Sequence, residues 1–267
     1  VTIALPQDVQ AEAFDFPESF FTPIVHRIRR PRPSRDEVAA AAAALRSARQ
    51  PIIVAGGGVH YSLAEAELAA FAHRFGIPVM ETVAGKSSLT ADDEAFAGPI
   101  GVFAETDGQE IAWQPDVVLA VGTRLQDFTT ESGTVFKNPD VRLVGLNIGR
   151  FDAQKRGGLP LIGDAREGLA DLAEALGDWQ GPAAWQEQAR DSFARQEVVR
   201  CARQAATADV PPTYAQVIGA VHEVATADDY IVTSSGGLAG ELVMNWNSKG
   251  IATFDCDRSS CTITFAS

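Results

Sequence analysis

The sequence has 267 residues, of which 46% are hydrophobic and 21% are charged, a composition typical of a globular protein with a sizeable core. Its formal net charge of −13 argues against nucleic acid or an anionic membrane as a main partner. No apolar run suits a membrane span or a signal peptide, and the three unpatterned cysteines suit a reducing cytoplasm.

The N-terminal stretch predicts a strand followed by a linker. Residues 1–5 are an apolar run ended by Pro6, and the absence of an initiator methionine leads us to expect a piece of a longer protein. Residues 11–34 are proline-rich and aperiodic, as expected of a linker. Their basic patch indicates either a phosphate site or, as we favour, a linker lying on an acidic body. The arginines concerned are Arg27, Arg29, Arg30, Arg32 and Arg35.

The chain is organised around a predicted βαβ unit. Ile52–Ala55 is a short, β-branched apolar run typical of a buried strand, and Gly56–Gly58 allow a sharp turn after it. Ser62 and Glu65 have the spacing of a capping box and predict the start of an amphipathic helix. The run at 77–80 predicts a second buried strand, so the two strands are expected to lie parallel.

Further strands and helices continue this pattern. Val117–Val121 and Arg142–Asn147 predict two more strands, and Asp164 is a predicted N-cap for a helix with a leucine stripe. Strands that alternate with helices are typical of a parallel sheet covered on both faces. The sequence therefore predicts an α/β fold, a Rossmann-like parallel sheet with helices on both faces.

A second α/β domain is predicted to begin after residues 177–182, which contain glycine and proline. A long polar helix over residues 183–206 leads to a shorter amphipathic helix and then to a strand at Tyr230–Thr233. Residues 248–267 show neither a helical period nor a convincing strand. The second domain is therefore expected to be incomplete.

The turns that follow the predicted strands contain candidate binding residues. Gly56–Gly58 resembles part of a dinucleotide fingerprint, but its third glycine is replaced by Tyr61, so we favour a tight turn without a ligand. Glu81 ends a strand where a ribose hydroxyl could be bound. Arg124 also follows a strand, and the sequence leaves open whether it binds an anion or pairs with Asp127.

Two other glycine-containing stretches resemble phosphate sites. Gly85–Ser87 has the Gly-Lys-Ser end of a P-loop, but the first glycine of that motif would fall at Met80, so we reject a P-loop. Ser235-Gly236-Gly237 lies between a predicted strand and a predicted helix. Glycines in that position expose backbone amides to an anion such as a diphosphate.

Three stretches together resemble the central domain of the thiamine-diphosphate enzymes, the family of acetolactate synthases and pyruvate decarboxylases. They are Pro51–Gly58, Phe75–Val79 and Asp116–Leu125. Within that family the closer resemblance is to the trihydroxycyclohexane-1,2-dione hydrolases of myo-inositol breakdown. It depends on LPQDVQ (5–10), AVGTRLQDFTTES (120–132), GLN (145–147), FDAQK (151–155) and GGLAGEL (236–242).

The family has three domains, and the resemblance implies how this chain divides among them. Residues 1–10 correspond to the end of the pyrimidine-binding domain, and residues 11–34 to a linker. Residues 35–180 correspond to the whole central domain. Residues 181–267 correspond to an incomplete diphosphate-binding domain.

The resemblance implies thiamine diphosphate and Mg²⁺ as cofactors of the full-length protein. Ser235, Gly236, Gly237 and Leu238 match the turn that contacts the diphosphate, and these four are the predicted cofactor-binding residues. The family's activating glutamate and metal ligands belong to regions that this sequence does not include. No catalytic or metal-binding residue is therefore predicted here, and the chain alone is expected to be inactive.

The implied reaction is hydrolysis of the carbon–carbon bond between the carbonyl groups of a polyol-derived cyclic dione, giving 5-deoxy-glucuronate. The full-length protein is expected to be a cytoplasmic homo-oligomer, dimer or tetramer, without nucleic-acid or membrane partners. Three alternatives stay open: an acetolactate-synthase-like carboligase, a module that binds FAD or NAD at the glycine turn, and a non-catalytic scaffold.

Overall fold

The computed structural model describes residues 4–104, 109–207, 211–233 and 236–256. The strands are β1 (Pro51–Ala55), β2 (Val79–Glu81), β3 (Phe96–Pro99), β4 (Val117–Val121), β5 (Arg142–Asn147), β6 (Leu159–Ile162), β7 (Ile231–Thr233) and β8 (Phe254–Cys256). The α-helices are α1 (Arg35–Arg46), α2 (Gly58–Ser62), α3 (Glu65–Phe75), α4 (Glu110–Trp113), α5 (Asp127–Thr130), α6 (Arg150–Ala153), α7 (Ala165–Leu176), α8 (Ala183–Gln204), α9 (Tyr214–Val224) and α10 (Gly237–Asn245).

The main sheet has six strands in the order β3-β2-β1-β4-β5-β6, and every neighbouring pair is parallel. This is the order of a doubly wound dinucleotide-binding sheet, in which the chain changes direction between β1 and β4. The predicted Rossmann-like α/β fold is confirmed. The switch point places the loops that follow β1 and β4 side by side.

Both faces of this sheet are covered, which explains why its central strands are continuous apolar runs. Ile53 and Leu119 face helices α1, α3 and α7, while the alternate residues Ile52 and Val118 face α4 and α8. All five residues of β1 and of β4 are buried. The apolar side chains of two faces, rather than one, therefore hold these strands in place.

Helix α8 connects the main sheet to the last part of the chain. Near its start, the buried indole N–H of Trp185 donates to the carbonyl of Pro51 at the beginning of β1, at 2.9 Å. At its end, the side-chain amide of Gln204 donates to the carbonyl of Asn245 in α10, at 2.6 Å. The two ends of one helix thus contact both the sheet and α10.

Helix starts agree with the sequence in part. Asp164 is the N-cap of α7, as predicted, and a capping box of Ser34 and Glu37 opens α1. The capping box proposed for Ser62 and Glu65 is wrong, because Ser62 is the last residue of α2. Its hydroxyl donates to Asp164 at 2.9 Å instead, and α3 begins without a side-chain cap.

Strands were missed where they are short or contain unfavourable residues. The expectation that residues 248–267 lack a strand is wrong for Phe254–Cys256, which pairs with β7 in a second parallel sheet. Residues 257–267 lie outside the described part of the chain. The strand predicted for residues 1–5 is not formed at Ala4 and Leu5, and the first three residues are not described.

The end of the proline-rich segment lies on acidic side chains of the sheet domain. Arg30 forms an ion pair with Asp164 at 2.9 Å. Arg32 lies 2.5 Å from Glu167 and 2.6 Å from Asp171, both on α7. These two guanidinium groups are therefore used in attaching the segment to the sheet domain.

Candidate functional site

The loops after β1 and β4 touch each other through their backbones at the switch point of the sheet. The amide of Gly58 donates to the carbonyl of Gly122 at 2.9 Å, and the amide of Gly56 donates to Val121 at 2.9 Å. A Cβ on Gly58 would come within 2.5 Å of the Gly122 Cα. The glycines are therefore required by close approach of the two loops, as the tight-turn interpretation expects.

A crevice of about 780 Å³ opens beside these loops, at the carboxyl edge of the strands. Its volume is in the range of small-molecule and cofactor sites. It is lined by residues from five loops and from the end of the proline-rich segment, among them Arg29, Gly57, Gly58, Tyr61, Gly122, Thr123, Arg124, Asn147 and Asp164. Tyr61, which replaces the third fingerprint glycine, is 88% exposed on its rim.

Glu81 does not face this crevice. Its side chain is buried, and its two carboxylate oxygens accept from the amides of Leu89 at 2.8 Å and Ser87 at 3.1 Å. Burial raises the pKa of Glu81 to about 7, while the nearby charge of Lys86 and the two amides oppose the rise. The interpretation of Glu81 as a ribose-binding residue is wrong, because its acceptors are occupied inside the protein.

The Gly-Lys-Ser stretch is equally removed from solvent. The ammonium of Lys86 donates to the carbonyl of Val243 in α10 at 3.2 Å and lies 5.6 Å from the centre of the Phe254 ring. Burial lowers the pKa of Lys86 to about 8, with the charge of Glu81 opposing the change. A lysine enclosed in this way has no access to a phosphate, so the rejection of a P-loop is confirmed.

Arg124 is exposed and lies between two cavities. It lines the switch-point crevice and also a second cavity of about 520 Å³, which reaches towards the start of α10. The alternative pairing with Asp127 is not formed, and among the described residues Asp127 lies 3.9 Å from Arg156 instead. A cationic group without an ion pair in the described structure is thus available to an anion at either cavity.

The predicted diphosphate turn opens onto the second cavity. Gly236, at φ +125°, is the N-cap of α10, and the helix begins at Gly237 without a side-chain cap. A Cβ on either glycine would meet nothing within 4 Å, so the turn faces open space. Leu238 is 44% exposed, whereas Ser235 lies outside the described residues. The first amides of a helix have no partner within it and are suited to bind an anion.

The second cavity brings together residues that the sequence did not connect. Gly236 and Arg124 both line it, although they are far apart in the chain and were treated as separate candidates. Phe103 and Phe128, which the sequence did not single out, stack at 5.7 Å between ring centres and form part of its wall. The sequence signal for this wall is limited to Phe128, which ends the GTRLQDF part of a stretch that carries the family resemblance.

The described residues offer an open helix N-terminus but no ligand set for a metal ion. No group of three or more histidine, cysteine, aspartate or glutamate side chains is arranged to hold a metal in the parts of the chain that the structure describes. The turn at Gly236–Leu238 therefore fits the diphosphate end of a cofactor. Residues for Mg²⁺ are not assigned here.

Together these features define a Rossmann-like α/β protein that carries an open glycine turn, at the uncapped start of a helix, on a second, smaller α/β unit. A family model described as the central domain of thiamine pyrophosphate enzymes matches residues 38–172, about half of the chain. The chain belongs to this family. Thiamine pyrophosphate is another name for thiamine diphosphate. The resemblance predicted from the sequence is confirmed.

Three of the curated relatives carry the name 3D-(3,5/4)-trihydroxycyclohexane-1,2-dione hydrolase. The chain is 38% identical to the protein from Geobacillus thermodenitrificans, 35% to that from Clostridium botulinum strain Alaska E43 and 34% to that from Bacillus cereus strain AH820. Each match covers 95% of this chain. The chain spans 43% of the length of these relatives.

Proposed function

We propose that this chain is part of a thiamine-diphosphate-dependent hydrolase that opens trihydroxycyclohexane-1,2-dione to 5-deoxy-glucuronate in myo-inositol catabolism. The observation that carries the proposal is the extent of the similarity, which runs through the sheet domain, the α10 turn and the loops between them. Because the chain spans 43% of its relatives, the activity is proposed for the full-length protein.

The residues of this chain have binding roles in the proposed reaction. Bound thiamine diphosphate supplies a carbon nucleophile and an electron sink. The backbone amides at Gly236–Leu238 would hold the diphosphate, because they lie at the uncapped start of α10 and at the positive end of its dipole. Arg124, on the same cavity, provides a cation for an anionic group of the ligand, such as the carboxylate that hydrolysis releases. The stacked Phe103 and Phe128 form an apolar part of the wall of that cavity.

The division of the chain and its surroundings are also proposals. Residues 1–10 are assigned to the end of the pyrimidine-binding domain, and residues 11–34 to the linker between it and the central domain. Residues 35–180 are assigned to the central domain, and residues 181–267 to an incomplete diphosphate-binding domain. The full-length protein is proposed to require Mg²⁺ and to be a cytoplasmic homo-oligomer. Within the described ranges no helix is both long and apolar enough to cross a membrane.

The proposal is tested on the full-length protein that contains this sequence. With thiamine diphosphate and Mg²⁺ present, it is expected to consume the cyclic dione and release one acid per ring opened, measured by titration of protons. Pyruvate is the matched control substrate, from which no acetolactate is expected. Formation of acetolactate would contradict the hydrolase assignment and favour a carboligase. Turnover of neither substrate would favour a non-catalytic scaffold.

The chain of 267 residues alone is expected to show no turnover and no saturable binding of thiamine diphosphate with Mg²⁺. The physical reason is that its described residues provide the diphosphate turn but no metal ligand set, and a bound cation is the largest local charge in such a site. Isothermal calorimetry measures this directly. Tight binding by this chain would contradict the proposed division of the site.

A nucleotide-binding module is the second candidate, because the crevice at the switch point lies where dinucleotides bind in sheets of this order. In that case the purified chain should retain FAD or NAD in the crevice. Absorbance near the flavin bands, and analysis of nucleotides released on denaturation, measure this. Protein free of both, and without binding on addition of either, would remove this candidate.

A further inference from the structure

The loop at residues 82–91, which joins β2 to β3, is one of the attachments between the second α/β unit and the sheet domain. The amide of Ala252 donates to the Ser87 carbonyl at 2.9 Å, and the amide of Phe254 donates to the Ser87 hydroxyl at 3.2 Å. Ala91 donates to the carbonyl of Ser248 at 3.2 Å. This joining loop therefore contacts the strand, the helix and the connections of the second unit.

Lys86 makes the contact that concerns α10. Val243 is among the last four residues of that helix, whose carbonyls have no partner within it. The Lys86 ammonium donates to this carbonyl at 3.2 Å, so a positive charge lies at the negative end of the helix dipole. Of the neighbouring carbonyls, Leu242 accepts from Trp246 and Asn245 accepts from Gln204. Lys86 thus provides the partner of the Val243 carbonyl at the C-terminal end of α10.

Glu81 holds Lys86 in place from the opposite side. Its carboxylate accepts from the amides on both sides of Ser88, those of Ser87 and Leu89, and thereby fixes the backbone immediately after Lys86. In its ionised form, the Glu81 carboxylate also offsets part of the cost of burying the ammonium. The position of the Lys86 side chain is therefore set by the sheet domain, through the residue that ends β2.

The two ends of α10 lie in different environments. Its C-terminal end is held by Lys86, and its N-terminal end is the open turn at Gly236 and Gly237. A helix of nine residues is rigid over its length of roughly 14 Å. Fixing one end against the sheet domain therefore fixes the direction in which the amides of the other end point.

We propose that Lys86 is a positioning residue for the diphosphate turn: it caps the C-terminus of α10 from the central domain and so aims the N-terminal amides of that helix at the cofactor. The first part, that Lys86 caps and fixes α10, depends on the observed contacts alone. The second part, that this aims the turn at the cofactor, rests on the proposed function. The Gly-Lys-Ser stretch then has a role without binding any phosphate itself.

Hydrogen exchange of the chain tests the first part. Lys86→Met should accelerate exchange of the α10 amides at least tenfold, while the amides of β1 and β4 keep their wild-type rates. Lys249→Met is the matched control, because Lys249 caps the neighbouring helix α9 by donating to His222 at 2.7 Å and Ala225 at 2.8 Å. It should accelerate α9 and leave the C-terminal half of α10 unchanged.

Two results would overturn the first part: unchanged exchange in α10, or equal acceleration throughout the sheet, which would indicate a general role in stability. If Lys86→Met does not fold, Lys86→Gln, which keeps a donor without the charge, is measured in the same way and decides between these results.

Cofactor binding by the full-length protein tests the second part. Lys86→Met should raise the Kd for thiamine diphosphate, measured with Mg²⁺ present, at least tenfold, with a smaller change in turnover at saturating cofactor. Lys249→Met should leave this Kd within twofold. An unchanged Kd in Lys86→Met would overturn the positioning role and leave the proposed function standing. A wild-type protein that binds no thiamine diphosphate would instead refute the proposed function.

Discussion

Replacing Gly58 with valine is expected to lower the free energy of unfolding by on the order of 3 kcal/mol, because the new side chain has no space at the switch point. A Cβ there would lie 2.5 Å from the Gly122 Cα and 2.9 Å from its carbonyl oxygen. Both contacts are with backbone, which cannot rotate away. The Gly58 to Gly122 hydrogen bond would have to break, and β1 would separate from the loop that follows β4.

The reason is steric rather than conformational. Gly58 does not have a positive φ, so valine would adopt its backbone angles if the neighbouring loop were absent. Gly149→Val is the matched control, because a Cβ at Gly149 would make contacts no shorter than 3.4 Å and that residue also has φ below zero. Urea denaturation of the three proteins measures the difference. Equal midpoints for Gly58→Val and Gly149→Val would contradict the close approach of the two loops.

The central strands could be predicted from the sequence, and the outer ones could not, for a physical reason. β1, β4 and β5 are buried on both faces, so selection for burial leaves continuous apolar runs. β3 contains Gly98 and Pro99, and β6 contains Pro160. Such residues argue against a strand in a sequence, but at the edges of a sheet they leave few ladder hydrogen bonds unmade.

The strand at Phe254–Cys256 was missed because its partners are distant in sequence. It has three residues, and it is held by β7, by the Ser87 hydroxyl and by apolar contacts with Val83 and Trp246. None of these contacts has a local signature. A strand this short owes its existence to tertiary packing rather than to propensity.

The candidate site was predicted in its parts but not as a whole. The glycine turns and Arg124 could be located, because ligands bind at the carboxyl ends of parallel strands. That Arg124 and Gly236 line one cavity depends on how the second unit docks, and the sequence does not give this. The burial of Glu81 and Lys86 could not be predicted for the same reason. Helix α10 and strand β8, which cover the joining loop, lie more than 150 positions further along the chain.

The largest pH effect is expected from Glu81, which is only 2% exposed, so water does little to stabilise its charge. Burial raises its pKa from 4.5 to about 7. Because the folded protein then holds the proton more tightly than the unfolded chain, this group contributes stability that is fully present below pH 4.5. That contribution is lost as the pH rises through about 7. A difference of this size corresponds to roughly 3 kcal/mol.

Glu81→Gln removes the titration while keeping the size of the side chain. Between pH 5 and 7.5, the advantage in unfolding free energy of the wild type over Glu81→Gln should therefore be greatest at pH 5 and shrink by roughly 2.4 kcal/mol as the pH rises to 7.5. The opposing charges of Lys86 and His60 are present in both proteins, and so are all groups elsewhere. Because the Glu81 charge raises the pKa of Lys86, the difference between the two proteins reports Glu81 together with its coupling to Lys86.

Urea denaturation at half-unit intervals between pH 5 and 7.5 measures this difference. Lys86 enters little in this range, because burial lowers its pKa only to about 8. The exposed Glu187, replaced by glutamine, is the control and should follow the wild-type curve at every pH. If the wild-type advantage grew instead with rising pH, attraction between the Glu81 carboxylate and the Lys86 ammonium would outweigh the cost of burying the carboxylate. The joining loop would then be held by an ion pair rather than by a protonated acid near neutral pH.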